Sequence, residues 1–134
     1  MYIADGKTNG PAFSWPDGKR IAVMVTFDYD AEFLRISRAK SKGTAIGFTD
    51  FSRGQYGPHE GLARCLDMLD TMNIKSTFFV PGAVIETYRD TVEEIHRRGH
   101  ELACHGYRHE SDPELSRDEM IKILEKSEAL LAEI

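Results

Sequence analysis

Cysteine is scarce in this chain. Its 134 residues include two, Cys65 and Cys104, too few for a disulfide framework and suited to a reducing compartment. Excess positive charge is missing too: seventeen Lys and Arg against twenty-two Asp and Glu leave −5, which argues against a nucleic-acid or anionic-membrane partner. No apolar run reaches the roughly 18 residues of a membrane span. The opening MYIADGKTNG carries Asp5 and Lys7 and offers no apolar stretch for a signal peptide. There is no Gly-x-Gly-x-x-Gly after a strand, no P-loop and no Gly-x-Ser-x-Gly elbow, so nucleotide handling and serine hydrolysis have no support. What remains, 41% hydrophobic and 29% charged residues, is the balance of a globular, cytoplasmic folding unit.

Residues 1–20 hold Gly6, Gly10, Pro11, Pro16 and Gly18 and read as a lead-in segment with turns, anchored by Trp15 against the body. The domain proper is expected over 21–134. Ile21 to Phe27 is apolar and β-branched, which predicts a strand covered on both faces, as in a parallel sheet. Asp28 to Pro58 reads as a long irregular stretch with Gly43, Gly47, Gly54 and Gly57; so long a loop is usually functional or carries small elements of its own. Leu62, Cys65, Leu66, Leu69 and Met72 form one stripe of a helix, and Lys75 to Val80 reads as a second strand stopped by Pro81-Gly82. Val84, Tyr88, Val92 and Ile95 recur at helical spacing up to Arg97-Arg98-Gly99, where basic residues suit the negative helix pole and Gly99 a left-handed cap. His100 to Cys104 is a third strand, and Ser116 with Glu119 is a capping box ahead of a helix with Met120, Ile123, Leu124, Leu131 and Ile134 on one face.

Three strand-then-helix units in a row predict an α/β fold with parallel strands. A closed eight-stranded barrel takes about 250 residues, and the chain stops on Leu130 to Ile134 without Gly, Pro or a basic last turn. The expectation is the front half of such a barrel. An open sheet leaves two edges, to be covered by a second copy of the chain or by a missing C-terminal half.

The chemistry gathers where strands end. Asp28 and Asp30, two apart in an extended segment, point to the same side at the exit of the first strand, which is where α/β folds place active sites. Asp-x-Asp alone is also an ordinary polar strand exit. His105 and His109, in His-Gly-Tyr-Arg-His past the third strand, share a face if that segment turns helically. A lone pair of this kind is more often two surface histidines. On the same rim as Asp30, however, the two imidazoles and one carboxylate make a three-ligand site with open positions, suited to Zn²⁺ or another first-row divalent ion. The remaining candidates read as bland: His59 an exposed loop residue, His96 solvated, His100 a hydrogen-bonded structural residue, and Cys104 a small buried one turned to the opposite side. Glu32 lines the site or bonds behind it.

On these residues the sequence resembles the polysaccharide deacetylase family, the NodB-homology domain of carbohydrate esterase family 4. Thr26-Phe27-Asp28-Tyr29-Asp30 is similar to its first motif, Lys75 to Gly82 (KSTFFVPG) to its second strand, and Gly99 to His109 (GHELACHGYRH) to the segment carrying its His-x3-His motif, so that the match covers roughly 12–134. The resemblance implies the N-terminal half of a deformed (β/α) barrel of the glycoside hydrolase/deacetylase type. It implies a metal-dependent hydrolase of non-peptide amide C–N bonds, with Asp28 as catalytic base and Asp30, His105 and His109 as metal ligands. The metal implied is Zn²⁺, with Co²⁺, Ni²⁺ or Mn²⁺ as alternatives. Asp-Tyr-Asp stands where many members have adjacent aspartates. That spacing, Glu32 and the SRGQYGPHEG loop resemble the intracellular branch of peptidoglycan-deacetylase-like, allantoinase-like and cyclic-imide-hydrolase-like members. The implied substrate is an N-acetylated sugar or glycan, or a small cyclic amide or imide. The family's Arg-x-Pro segment and late general-acid histidine have no counterpart here. The alternative reading is an inactive metal-binding fragment or pseudoenzyme needing a second half.

Overall fold

A computed structural model describes residues 15–110 and 115–134. The order is β1 (Thr26–Asp28), α1 (Phe33–Ser41), α2 (Phe48–Tyr56), a π-type turn (Gly57–Gly61), α3 (Leu62–Thr71), β2 (Thr77–Val80), α4 (Gly82–Thr87), α5 (Arg89–Arg97), β3 (Glu101–Cys104) and α6 (Arg117–Leu131). The three strands pair in parallel with β2 in the centre, Phe27 beside Phe78 and Phe78 beside Leu102. Parallel neighbours require a crossover, and helices supply each one. The fold is therefore α/β with three βα units. No helix among the described residues is long and apolar enough to cross a membrane.

The core lies where helices cover the sheet. Phe78 and Val80 alternate with half-buried Thr77 and Phe79, so β2 buries one face fully and the other in part. Leu62, Leu66 and Leu69 of α3, Val84 and Ile85 of α4, and Val92 and Ile95 of α5 close over that buried face together with Tyr29. Of the expected α3 stripe, Cys65 is half-buried and Met72, past the helix end, is exposed. Phe27 stacks on Phe78 with centroids 5.0 Å apart.

Several sequence expectations need correction. β1 begins at Thr26, and Ile21, Val23 and Met24 are 75%, 81% and 87% exposed rather than covered on both faces. The last residue of the preceding run is still tied to β2, the Thr77 amide donating to the Val25 carbonyl (3.2 Å), while Ile21 to Met24 lie ahead of the ladder. Trp15 is 39% exposed. The lead-in glycines Gly6 and Gly10 and Pro11 lie outside the described residues. The stretch from Asp28 to Pro58 carries α1 and α2. The helix expected across Val84 to Ile95 is two, separated at Tyr88, whose backbone (φ −128°, ψ 43°) leaves the helical region. The expected caps are present: Gly99 takes φ +77° after α5, and at α6 Ser116 Oγ accepts from the Glu119 amide (3.3 Å) while the Glu119 carboxylate accepts from the Ser116 amide (2.9 Å). On α6, Met120 and Leu124 are exposed, whereas Leu130 and Leu131, and Ile134 past the helix end, pack on the core.

Candidate metal centre

β1 and β3 end on the same rim of the sheet, and the ligand candidates come directly after those ends. Strand pairing continues a step past each: the Tyr29 amide donates to the Phe79 carbonyl (2.8 Å), and the His105 amide donates to the Val80 carbonyl (3.2 Å). Tyr29 is buried, so by strand alternation Asp28 and Asp30 on either side of it face the other way. The chain then turns through Ala31 at φ +49°, a backbone few non-glycine residues adopt, and the Phe33 amide closes the turn on the Asp30 carbonyl (3.0 Å).

The histidine pair is not on a helix. Gly106 at φ +68° and His109 at φ +60° fold residues 105–109 back on themselves and bring the two rings edge to face, 4.6 Å between centroids. Positive φ at a non-glycine residue such as His109 persists only where surrounding contacts enforce it. Those contacts are present. The amides of Gly82 and Ala83, at the start of α4, donate to the carbonyls of Gly106 and Tyr107 (both 2.9 Å). The Glu110 carboxylate accepts from the amides of Tyr107 (3.2 Å) and Arg108 (2.9 Å). The Ser37 hydroxyl of α1 donates to the His109 carbonyl. Sequence reasoning did not single out Ser37, Gly82, Tyr107 or Glu110; their role is set by tertiary contact, which spacing does not reveal.

Asp30, His105 and His109 converge, with one ligand atom from each inside a sphere of contacts no wider than 4.8 Å. His109 Nε2 lies 2.8 Å and His105 Nε2 3.6 Å from Asp30 Oδ1. His105 Nε2 is buried and has no hydrogen-bond partner among the described residues. Leaving such an atom unsatisfied is costly, and a cation shared with Asp30 and His109 would satisfy it. Two imidazoles and a carboxylate are the donor set of first-row divalent ions, so the residues present fit the group. Asp28, exposed at the end of β1, stands outside this three-residue set.

The other candidates have different surroundings. His100 is buried and its Nδ1 accepts from the Ser76 amide (3.3 Å); burial, with the Lys75 ammonium adding to it, holds the imidazole below its ordinary value. His96 is exposed. His59 is exposed and edge-on to Tyr88, in the π-type turn rather than a loop. Cys104 is half-buried, not buried, and borders a cavity of about 330 Å³ with His105 and His109. Glu32 is buried and both its carboxylate oxygens accept from the Tyr88 hydroxyl (3.1 and 3.0 Å). Burial first, and then the Glu32 carboxylate, raises the Tyr88 phenol.

A family model described as polysaccharide deacetylase matches residues 16–134. A peptidoglycan deacetylase-like protein of Gibberella zeae is 30% identical over 118 residues, covering 84% of this chain and 34% of its own length. A peptidoglycan deacetylase of Helicobacter pylori is 32% identical over 85 residues, 63% of this chain and 29% of its own. Among solved structures, a Mycobacterium smegmatis protein described as a polysaccharide deacetylase superposes with a TM-score of 0.80 at 40% identity, over 93% of this chain and 44% of that one. Puue allantoinase gives the same TM-score at 19% identity, over 93% of this chain and 47% of its own, a likeness of fold alone. The chain thus spans about a third of the curated relatives' length and less than half of these structures.

Proposed function

The chain belongs to the polysaccharide deacetylase family, and on that premise we propose that it is a metal-dependent hydrolase of non-peptide amide C–N bonds with Asp30, His105 and His109 as the metal ligands. The observation that carries the reading is the convergence of those three side chains around a buried imidazole nitrogen that has no hydrogen-bond partner among the described residues. Zn²⁺ fits the two nitrogens and one carboxylate oxygen best. A divalent cation bound there supplies Lewis acidity and makes water acidic enough to lose a proton near neutral pH.

The chain's own residues do the rest. Asp28, exposed and on the same side of β1 as Asp30, takes the proton from the attacking water as general base. The water oxygen bonds to the amide carbon, the C–N bond breaks, and the nitrogen leaves as an amine after gaining a proton from an acid not assigned to any residue here. His105 and His109, fixed by the bent backbone between them, present ring nitrogens without searching for the geometry. Names of relatives support an N-acetylated glycan as substrate; a cyclic amide or imide is the alternative. The unpaired thiols Cys65 and Cys104 suit a cytoplasmic setting. The edges of β1 and β3 suit coverage by a second copy or by further barrel.

The alternative is a chain that binds the metal without turnover of its own. Equilibrium dialysis against Zn²⁺ and an acetate-release assay on N-acetylated glycan separate the cases. The proposal expects one ion per chain, lost in Asp30→Ala, His105→Ala and His109→Ala, and acetate release lost in Asp28→Asn with the ion retained. Stoichiometric metal with neither acetate release nor ring opening of a cyclic imide favours the alternative. No bound ion rejects both.

A further inference from the structure

We infer that Glu32 and Tyr88, together with Tyr29 and Thr91, are positioning residues that orient Asp30 for the cation. The inference rests on Asp30 being a metal ligand, as proposed above. Asp30 sits on a turn beyond the end of β1, where a carboxylate would ordinarily be free to swing. Here the turn is tied on both sides of Asp30 to one place. One residue before it, the Tyr29 hydroxyl bonds Thr91 Oγ1 at 2.9 Å. The Thr91 proton is already given to the Tyr88 carbonyl (2.7 Å), so Tyr29 is the donor. Two residues after Asp30, the Glu32 carboxylate accepts from the Tyr88 hydroxyl through both oxygens. Tyr88 and Thr91 stand at the start of α5, so both ties end on a single rigid element.

Two further observations support a geometric role. Glu32 is 5% exposed and makes no ion pair among the described residues. A buried carboxylate held by a phenol alone is a poor choice for stability, where an apolar side chain of similar volume serves as well or better. And α2 lies directly against it: a Cβ on Gly54 would fall 2.7 Å from Glu32 Cβ and 3.0 Å from its backbone nitrogen. The turn is thus clamped by α5 and backed by α2, with Asp30 as its first residue.

Groups that orient metal ligands typically contribute a factor of about 10–100 in affinity. Tyr88→Phe and Thr91→Val each remove one tie. Both are expected to weaken Zn²⁺ binding about tenfold and to shift the visible absorption of the Co²⁺-loaded chain, which a purely structural residue would leave unmoved. Glu32→Gln keeps an acceptor for the Tyr88 hydroxyl and is expected to restore affinity and spectrum close to those of the parent chain. Circular dichroism and urea unfolding of the metal-free forms identify any variant that fails to fold, in which case the other tie decides. Folded Tyr88→Phe or Thr91→Val chains that bind Zn²⁺ and Co²⁺ like the parent overturn the inference, as does a Glu32→Gln chain as impaired as Tyr88→Phe. A parent chain that binds neither ion overturns instead the metal reading on which it rests.

Discussion

The Ser37 hydroxyl donates to the main-chain carbonyl of His109, 72 residues further along the chain. One turn earlier on the same helix, the Phe33 amide donates to the Asp30 carbonyl. α1 therefore touches both backbone segments that carry ligand candidates, and does so through main-chain atoms that no ligand chemistry consumes. Ser37→Ala removes one of these two contacts. The bond itself contributes about 0.5–1.5 kcal/mol to stability. His109, held at positive φ, would gain freedom, and Zn²⁺ affinity is expected to fall about tenfold. Competition with a chromophoric chelator reads the affinity, and a thermal melt of the metal-free chain reads the stability. Unchanged affinity would show that α4 and Glu110 suffice to hold the histidine.

Gly54 decides between two opposed effects. Alanine in a helix interior is ordinarily favoured over glycine by about 1 kcal/mol. At this position the added methyl meets the Glu32 backbone, which cannot swing aside as a side-chain tip could. Overpacking of that kind costs about 1–3 kcal/mol, so Gly54→Ala is expected to lower stability despite its better helix propensity. Urea denaturation gives the sign directly. A rise in the unfolding midpoint would mean that α2 moves off Glu32 at little cost.

Acidification should destabilise the chain through His100. Its imidazole is held below the ordinary value by burial, and Nδ1 is already occupied as an acceptor for the Ser76 amide. The unfolded chain takes up a proton near pH 6.5, which the folded chain resists. As the pH falls below about 6.5, the unfolded state binds more protons and stability drops, until the folded imidazole also protonates. His100→Gln keeps an acceptor for the Ser76 amide and does not titrate. Between about pH 7.5 and 5.5 the variant is expected to lose less stability than the parent, as measured by urea unfolding at each pH. Equal losses would assign the acid sensitivity to other groups.

The exposed residues Ile21, Val23 and Met24 lie just ahead of an edge strand, and among the described residues β3 offers a second unpaired edge. Apolar side chains beside open ladders favour pairing between chains. The chain is expected to self-associate with rising concentration, and Val23→Lys with Met24→Lys is expected to reduce this in sedimentation velocity. A parent chain that stays monomeric at high concentration would contradict it.

What the sequence made legible was local. The capping box at Ser116 and Glu119, the Leu62, Leu66, Leu69 stripe and the alternation in β2 each depend on neighbours within a turn or a strand. The three ligand candidates could be grouped because each comes just after a strand end. Elsewhere the deciding interaction is long-range or lies in the backbone. α1 offers only a short apolar stripe, Phe33 and Ile36, neither fully buried, and four glycines hid α1 and α2 within an apparent loop. Helical spacing ran straight across Tyr88 because a backbone break leaves residue periodicity intact. Ile21 to Met24 has strand composition, yet the ladder with β2 begins only at the Val25 carbonyl, which accepts from the Thr77 amide. The histidine spacing suggested a helical turn, while the rings meet because Gly106 and His109 adopt positive φ.

The wide turn at Gly57–Gly61 has its own effect on the two helices it joins. In an uninterrupted α-helix, with about 100° per residue, Leu62 would sit about 80° round the axis from Gly54. Hydrogen bonding to the fifth residue instead of the fourth takes up one extra residue without rotating the helix beyond it. Gly54 against Glu32 and Leu62 in the core can therefore occupy nearly the same azimuth. The surplus residue is absorbed where it occurs, so a protein of this kind shorter by one position there would return to ordinary helical pitch with both flanking surfaces still in phase.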